Sequence, residues 1–449
     1  MQSIFGTDGV RGRFNQDIDC DLAYKIGYAF GKNTTINEPI LIGRDTRTSG
    51  QLLLDAISAG INSAKKEVFD IGICPTPAIP FLIKKINSSG GIMISASHNP
   101  PEYNGIKIFN RNGIKIKQSE ERALERLIAS INNKHHSKSN SEENVSPKNE
   151  LIHLYEESLI ESVGNIDLNG LKIVLDTCFG SATVCAEKIF KKLGANTKTI
   201  NNKPDGERIN VGCGSTCLKP LQKAVIDNEA DMGFSFDGDA DRVIGIDSRG
   251  NILDGDHILF LWGRELLVNN NLPKKEIIST IMANLGLEKG WQDLGGIFYR
   301  TPVGDKFIYE EIIKRKAVLG GEQSGHILSK INNFCGDGIL TAIQISKFCK
   351  IKKIKLETWL ESSFSPFPQK LTNIFLPLHL KKSNLYENEL INEIVQKYLD
   401  KNNENCRIFV RPSGTEPLLR ILVEAHNQKL VNSISTQIKI DIEKLIDNF

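Results

Sequence analysis

The stretch "ADMGFSFDGDADR", residues 230–242, runs a short apolar segment into three carboxylates. MGFSF reads as a buried strand, and the change to DGDADR marks its tip. Asp237, Asp239 and Asp241 stand at i, i+2 and i+4, a spacing that puts all three on one face of an extended segment. Acids so close repel unless a cation lies among them, and hard oxygen donors favour Mg2+ or Ca2+. An EF-hand fails here. Its sixth position would be Gly and is Arg242, its twelfth would be Glu and is Ser248, and the preceding segment reads as strand, not helix. An exposed acidic turn is the plain alternative. A cation beside a metal makes sense with an anion between them, so Arg242 predicts a phosphate bridging it and the metal.

The same unit, a short apolar strand delivering a polar loop, recurs on either side. GIMIS leads into SASHNP (residues 95–100), and AVLGG into GEQSGH (residues 321–326). Helix-like segments alternate with these strands: TSGQLLLDAISAGINSAKK, capped by Thr48 or Ser49, SEERALERLIASI, SATVCAEKIFKKLG, ended by Gly194, and GDKFIYEEIIKRK. The alternation predicts successive α/β units, and in open sheets of this kind ligands bind at the carboxyl ends of strands. Residues 132–149, which contain His135 and His136, carry one valine and no other large apolar side chain; they read as a linker. After the Pro-rich FSPFPQ, a helix, two strands and a final helix predict a small α+β domain.

Composition narrows the function classes. A chain of 449 residues exceeds one core, and 40% hydrophobic with 24% charged residues is ordinary for a soluble globular protein. A net charge of +2 argues against non-specific nucleic-acid binding, which needs a basic excess. No apolar run reaches membrane-spanning length, and MQSIFGTDGVRGR shows no secretion signal. Nine scattered cysteines without a CxxC pair suit a reduced cytoplasmic setting; Cys213 and Cys217, in CGSTC, read as free thiols more readily than as metal ligands.

The remaining loops supply partners for a phosphate. In RPSGTEP, Arg411 offers a fork, Ser413 and Thr415 add hydroxyls, Gly414 lets the backbone close on an anion, and Arg420 follows on the next strand. Taken alone, SGT is also a plain turn. Glu322, Ser324 and His326 alternate, which on a strand puts them on one face, suited to sugar hydroxyls. His326 either moves a proton near neutral pH or caps a strand end. Ser97 and His98 are adjacent, and adjacent strand side chains point apart, so they form no ready dyad; a GxSxG elbow is also absent. A loop serine usually just makes a turn. Facing a metal and Arg242, however, Ser97 can itself carry the phosphate, and Lys107, in NGIK, follows closely enough to neutralise charge or take a proton.

SASHNP with NGIK, DGDADR, GEQSGH and RPSGTEP, in that order and with FGTDGVRG at the start, resemble the α-D-phosphohexomutases over essentially the whole chain, and their wording is most similar to the amino-sugar branch. The resemblance implies an α/β protein of four domains around a central cleft. Three are similar α/β units with mixed sheets (residues 1–147, 148–249 and 250–364), and a smaller α+β domain covers residues 365–449. It implies a phosphorylated Ser97 whose phosphate, with Asp237, Asp239 and Asp241, binds one Mg2+. It also implies sugar recognition by Glu322 and Ser324, and a grip on the substrate's non-reacting phosphate by Arg411, Ser413, Gly414, Thr415 and Arg420. Arg11 and Lys306 are expected to line the cleft. The implied reaction interconverts glucosamine 6-phosphate and glucosamine 1-phosphate through a sugar 1,6-bisphosphate, which also primes the enzyme, on the route to UDP-N-acetylglucosamine. The implied partner is this small phosphosugar, and a homodimer is implied as in many bacterial members; nucleic acid and membrane are not expected. Rivals are a glucose or mannose phosphate mutase of the same fold, a non-catalytic sugar-phosphate binder and a metal-dependent phosphatase. Two positions depart from the family pattern: Ala240, where Gly is usual, and Phe179, where a small polar residue is usual.

Overall fold

The computed structural model describes residues 4–6, 8–131, 145–164, 166–332, 334–376, 389–402, 406–412 and 418–446. They form two compact units, residues 1–282 with 295–363, and residues 283–294 with 364–449.

The first unit holds three sheets. The first runs β1-β5-β4-β2-β3-β6, made of β1 (Val10–Arg13), β2 (Ile40–Arg44), β3 (Val68–Ile73), β4 (Gly90–Ile94), β5 (Tyr103–Asn110) and β6 (Val145–Pro147). The second runs β11-β10-β9-β7-β8, from β7 (Lys172–Asp176), β8 (Asn196–Ile200), β9 (Met232–Phe236), β10 (Val243–Asp247) and β11 (Ile252–Leu253). The third runs β13-β12-β14-β15, from β12 (Glu276–Thr280), β13 (Ile297–Thr301), β14 (Leu319–Gly321) and β15 (Ile327–Ser329). In each, a parallel core passes into an antiparallel hairpin: β4 with β5, β9 with β10, β14 with β15. The expected mixed sheets are therefore present three times. Strands β4 and β9 are buried throughout, as continuous apolar runs flanked on both faces must be.

All three chemistry-bearing loops are the connections of those hairpins, at the carboxyl ends of β4, β9 and β14. The helices Cys20–Asn33 and Gly50–Ser63 pack on each other, and the latter starts one residue after Ser49 as expected. Yet the Ser49 hydroxyl does not cap it; that oxygen accepts a hydrogen bond from Asn104 Nδ2 at 2.8 Å. Another departure is at the end of the expected linker: residues 145–147 form β6, an edge strand parallel to β3, whose Val145 joins the core. His135 and His136 lie outside the described residues. The single helix expected over residues 181–194 is instead a 3-10 turn (Ser181–Val184) and an α-helix (Ala186–Lys192), broken where Cys185 leaves helical geometry.

The second unit has a three-stranded antiparallel sheet, β16-β18-β17, from β16 (Gln369–Phe375), β17 (Cys406–Pro412) and β18 (Leu418–Ala425). The helices Glu389–Asn402 and Gln428–Ile446 cover it with a shared apolar core that includes Ile391, Tyr398, Ile421, Val431 and Ile438. The helix Leu285–Asp293 belongs to this unit; Leu285 N donates to Glu424.

Candidate active site

Residues 237–242 leave strand geometry at Phe236 and turn, with Ala240 in the left-handed region at φ 57°. The three carboxylates meet because of this turn and not through strand alternation. One oxygen from each of Asp237, Asp239 and Asp241 lies within 4.8 Å of the others, and all three residues are buried. Among the described residues this is the one His/Cys/Asp/Glu group with metal-holding geometry. Ala240 takes a backbone conformation in which glycine would be unstrained.

Ser97 lies against this trio. Its hydroxyl donates to Asp237 Oδ2 at 2.5 Å. The sequence expectation that Ser97 and His98 point apart is corrected: Ser97 Oγ and His98 Nδ1 are 3.3 Å apart. β4 ends at Ile94, and Ser97 has φ 54°, so strand alternation no longer applies. Burial, reinforced by Arg242 and Arg11, brings the His98 imidazole down to about 4, so it is neutral at pH 7.

The cation among the acids is Lys107, delivered by β5. Its fully buried ammonium lies 2.7 Å from Asp239 Oδ2 and 2.7 Å from Asp241 Oδ2. Burial opposes its charge, but the three carboxylates of Asp239, Asp241 and Asp8 outweigh it and hold Lys107 well above the usual lysine range. Burial, with Asp241 and Asp239, pushes the Asp237 carboxyl up; at Asp241, burial is overcome by Lys107 and His326, and its carboxyl stays well below the ordinary value. Asp239 also accepts from Thr76 Oγ1 at 2.5 Å.

His326 is buried, with Nδ1 3.4 Å from Asp241 and Nε2 3.5 Å from Asp305. Burial disfavours its charge, but these two carboxylates raise it to about 10, so it is an imidazolium at neutral pH. Glu322, Ser324 and His326 do not share a face. They lie in a tight turn closed by Glu322 N to His326 O at 3.0 Å. Ser324 Oγ donates to Glu322 Oε2, while the His326 ring turns inward to the acids.

Glu322 and Ser324, together with Gln323, Arg242, His98 and Thr280, line a cleft of about 510 Å3. Arg242 extends from the acidic loop, with Nε 3.9 Å from Asp241 Oδ1. Arg11 pairs with Asp8 and donates to Asn99 Oδ1 at 3.3 Å, beside the serine loop. Lys306 is not brought to this cleft. It lines a separate cavity with Phe109, Ile114 and Tyr309, and its ammonium is 4.0 Å from Glu121. In the second unit, Arg411 on β17 stands directly opposite Arg420 on β18, and Arg411 is lowered by burial and then by Arg420. Ser413, Gly414 and Thr415 lie outside the described residues.

Sequence reasoning missed Asp8, Lys115 and Asp305. Lys115 bridges Asp8 and Asp305, the latter at 2.5 Å. The FGTDGVRG opening and the GDK of the third segment were the available signals. Phe179, the second departure, has its ring under the Arg208 guanidinium, 4.0 Å from the centroid.

The residues fit a divalent ion. Asp239 Oδ1 is buried without a hydrogen-bond partner, and Asp241 and Asp237 offer further carboxylate oxygens beside it. All nine cysteines are free, Cys213 and Cys217 among them, and no helix among the described residues is long and apolar enough to cross a membrane.

Comparison with known proteins places the chain in a clear neighbourhood. The phosphoglucomutase/phosphomannomutase alpha/beta/alpha domains I, II and III match residues 2–135, 153–250 and 254–367, and the C-terminal domain matches residues 377–440. A curated phosphoglucosamine mutase of Prochlorococcus marinus (strain MIT 9515) is 62% identical, over 100% of this chain and 99% of its own length. One of Synechococcus sp. (strain CC9902) is 45% identical, over 95% and 92%. Among solved structures, a phosphoglucomutase/phosphomannomutase family protein of Burkholderia thailandensis shares the fold at TM-score 0.78 and 24% identity, over 97% of this chain and 96% of that one. Aspergillus fumigatus N-acetylphosphoglucosamine mutase, solved with GlcNAc-6P and magnesium, shares it at 0.68 and 17%, over 98% and 96%.

Proposed function

The chain belongs to the phosphoglucomutase/phosphomannomutase family, and from that premise we propose that it interconverts glucosamine 6-phosphate and glucosamine 1-phosphate with Ser97 as the phosphoryl carrier. The observation that carries the reading is the 2.5 Å contact between the Ser97 hydroxyl and Asp237, inside the acidic group that, among the described residues, could hold a metal ion. A carrier serine must lie where the charge of its phosphate is offset, and a divalent ion held by the three aspartates would supply that here.

In the proposed cycle, the bond between phosphorus and Ser97 Oγ breaks as a bond forms to the free sugar hydroxyl, whose proton ends on Ser97 Oγ, giving the 1,6-bisphosphate. The intermediate turns over, and its other phosphoryl group returns to Ser97. Such transfers depend on in-line positioning and charge neutralisation. Asp237, Asp239 and Asp241 would hold Mg2+, which when bound offsets their repulsion and draws charge from phosphoryl oxygens. We assign Arg242, Lys107 and His326 to charge stabilisation of the transferring group, since all three are cationic at neutral pH. Glu322 and Ser324, which line the cleft beside Arg242, are assigned to the sugar hydroxyls. Arg411 and Arg420 are assigned to the second phosphate, because two facing cations are relieved by an anion. A reducing cytoplasmic setting fits nine free thiols.

Ser97→Ala should abolish mutase turnover, and wild-type protein primed with the sugar bisphosphate should gain about 80 Da, one phosphoryl group, that the variant lacks. Wild-type turnover by Ser97→Ala would refute the carrier role. A substrate panel decides the sugar: kcat/KM should be highest with glucosamine phosphate, and a higher value with glucose or mannose phosphate would reassign the enzyme within its family.

A further inference from the structure

Ser97 has a backbone φ of 54°, a left-handed conformation that a residue with a Cβ keeps only under constraint. The constraint comes from two side chains outside the chemistry. Arg47 is fully buried, its Nε 2.9 Å from Asp45 Oδ2. Its Nη2 donates to Ser97 O at 3.0 Å and Asn99 O at 2.8 Å, and its Nη1 donates to Tyr103 O at 2.8 Å and to Pro100 O. Asn210, from the second α/β segment, repeats the grip: its Nδ2 donates to Ser97 O at 2.8 Å and to Asn99 O at 3.0 Å. The Cys178 thiol donates to Asn210 Oδ1 at 2.9 Å, which fixes which way the amide faces. The Ser97 N–H is tied too, through Ser95 Oγ at 2.8 Å, which in turn donates to Asp45 Oδ2 at 2.7 Å. On the same carbonyl, a Cβ at Gly238 would meet Ser97 O at 2.7 Å, so the acidic loop closes directly on it.

With both backbone groups held, the freedom left to Ser97 is its side-chain rotation, and its hydroxyl meets Asp237. Neither Arg47 nor Asn210 lines the cleft beside Glu322. We propose that Arg47 and Asn210 are positioning residues that clamp the Ser97 carbonyl, setting the phosphoryl carrier in line with the acidic loop and the sugar. This rests on the carrier reading of Ser97. Arg47 fixes the loop to its own sheet, and Asn210 fixes it to the segment that carries the acids, so the pair sets the distance between carrier and acids.

Asn210→Ala tests the clamp. Misplacing a reacting group by about 1 Å can cost about 100-fold. We expect kcat to fall by about 10-fold or more, with KM for glucosamine phosphate within about twofold because Asn210 itself does not line the cleft. Uptake of the phosphoryl group from the bisphosphate, followed by intact mass, should slow in parallel. Turnover is referred to the folded fraction, read by circular dichroism, because partial unfolding alone would also lower apparent kcat at constant KM. Arg47→Lys, which keeps the charge beside Asp45 but not the four-carbonyl reach, should fall in the same direction. Wild-type kcat in Asn210→Ala, or a loss confined to KM, overturns the clamp. Should Asn210→Ala not fold, Cys178→Ala, which frees the amide without removing it, is expected to lose kcat at constant KM, and full activity there overturns the proposal equally. Ser97→Ala assayed alongside separates the two ideas: if it is active, the carrier reading fails; if it is dead while Asn210→Ala keeps wild-type kcat, only the clamp fails.

Discussion

Asp337 caps the helix Gly338–Lys352 by accepting from Leu340 N at 2.9 Å and also accepts from Tyr155 Oη at 2.9 Å. Burial nonetheless pushes its carboxyl up from 3.8 to about 6. Below about pH 4 the group is protonated folded and unfolded, and stability owes it nothing. Between about 4 and 6 the unfolded chain releases the proton while the fold retains it, so stability falls as pH rises, by about 3 kcal/mol in all, and then levels off. Asn caps as well as Asp and does not titrate. Urea unfolding of Asp337→Asn should therefore gain on wild type as pH goes from 4 to 7, and parallel curves for the two proteins would contradict the shift. This residue illustrates what sequence leaves hidden. Its neighbour Tyr155, 182 residues away in sequence, is set by tertiary packing, and the Ser97–His98 contact that strand alternation argued against is set by the turn that follows β4. The clustering of Asp237, Asp239 and Asp241 was legible from their spacing, although a turn brings it about.

At the scale of elements, the alternation of apolar strands and polar loops gave the three α/β units, because a buried parallel strand must be a short apolar run. The helix Gly338–Lys352 was illegible for the opposite reason: Ile339, Leu340, Ala342, Ile343, Ile345 and Cys349 are all buried, so no polar face marks a helical period. That helix begins against the acidic loop. Gly338 N donates to Ala240 O at 3.0 Å, and a Cβ on Gly338 would lie 2.3 Å from Arg242 O. Gly338→Ala must push the helix from the loop, and overpacking of this kind costs about 1–3 kcal/mol. The expected result is a lower unfolding midpoint together with weaker Mg2+ dependence of turnover. A variant less stable than wild type but with unaltered Mg2+ dependence would mean that the helix end does not shape the acidic loop.

Across the first unit as a whole, the three α/β segments meet in a closed ring of alternating charge. Asp8 contacts Lys107, Lys107 contacts Asp241, Asp241 contacts His326, His326 contacts Asp305, and Lys115 joins Asp305 back to Asp8. Positions 8, 107 and 115 come from the first segment, 241 from the second, and 305 and 326 from the third, so no local pattern could have announced the ring. In it, Lys107 takes one oxygen each of Asp239 and Asp241; the second oxygen of Asp239 is buried without a hydrogen bond, while that of Asp241 faces His326 Nδ1 at 3.4 Å. A buried carboxylate oxygen without a partner is costly, so a divalent ion that satisfies it should bind the folded chain far better than the unfolded one. Mass action then stabilises the fold by about 2.7 kcal/mol at 100 times the dissociation constant. Thermal unfolding should shift upward with added Mg2+, return on chelation by EDTA, and lose the Mg2+ response in Asp239→Asn, whatever that variant's starting stability. The comparison of responses matters more than the midpoints, because Asp239→Asn also removes a repelling charge and a partner of Lys107. A wild-type midpoint indifferent to millimolar Mg2+ would leave the Lys107 ammonium as the cation this acidic group was built around, and the metal reading of the three aspartates would have to be abandoned.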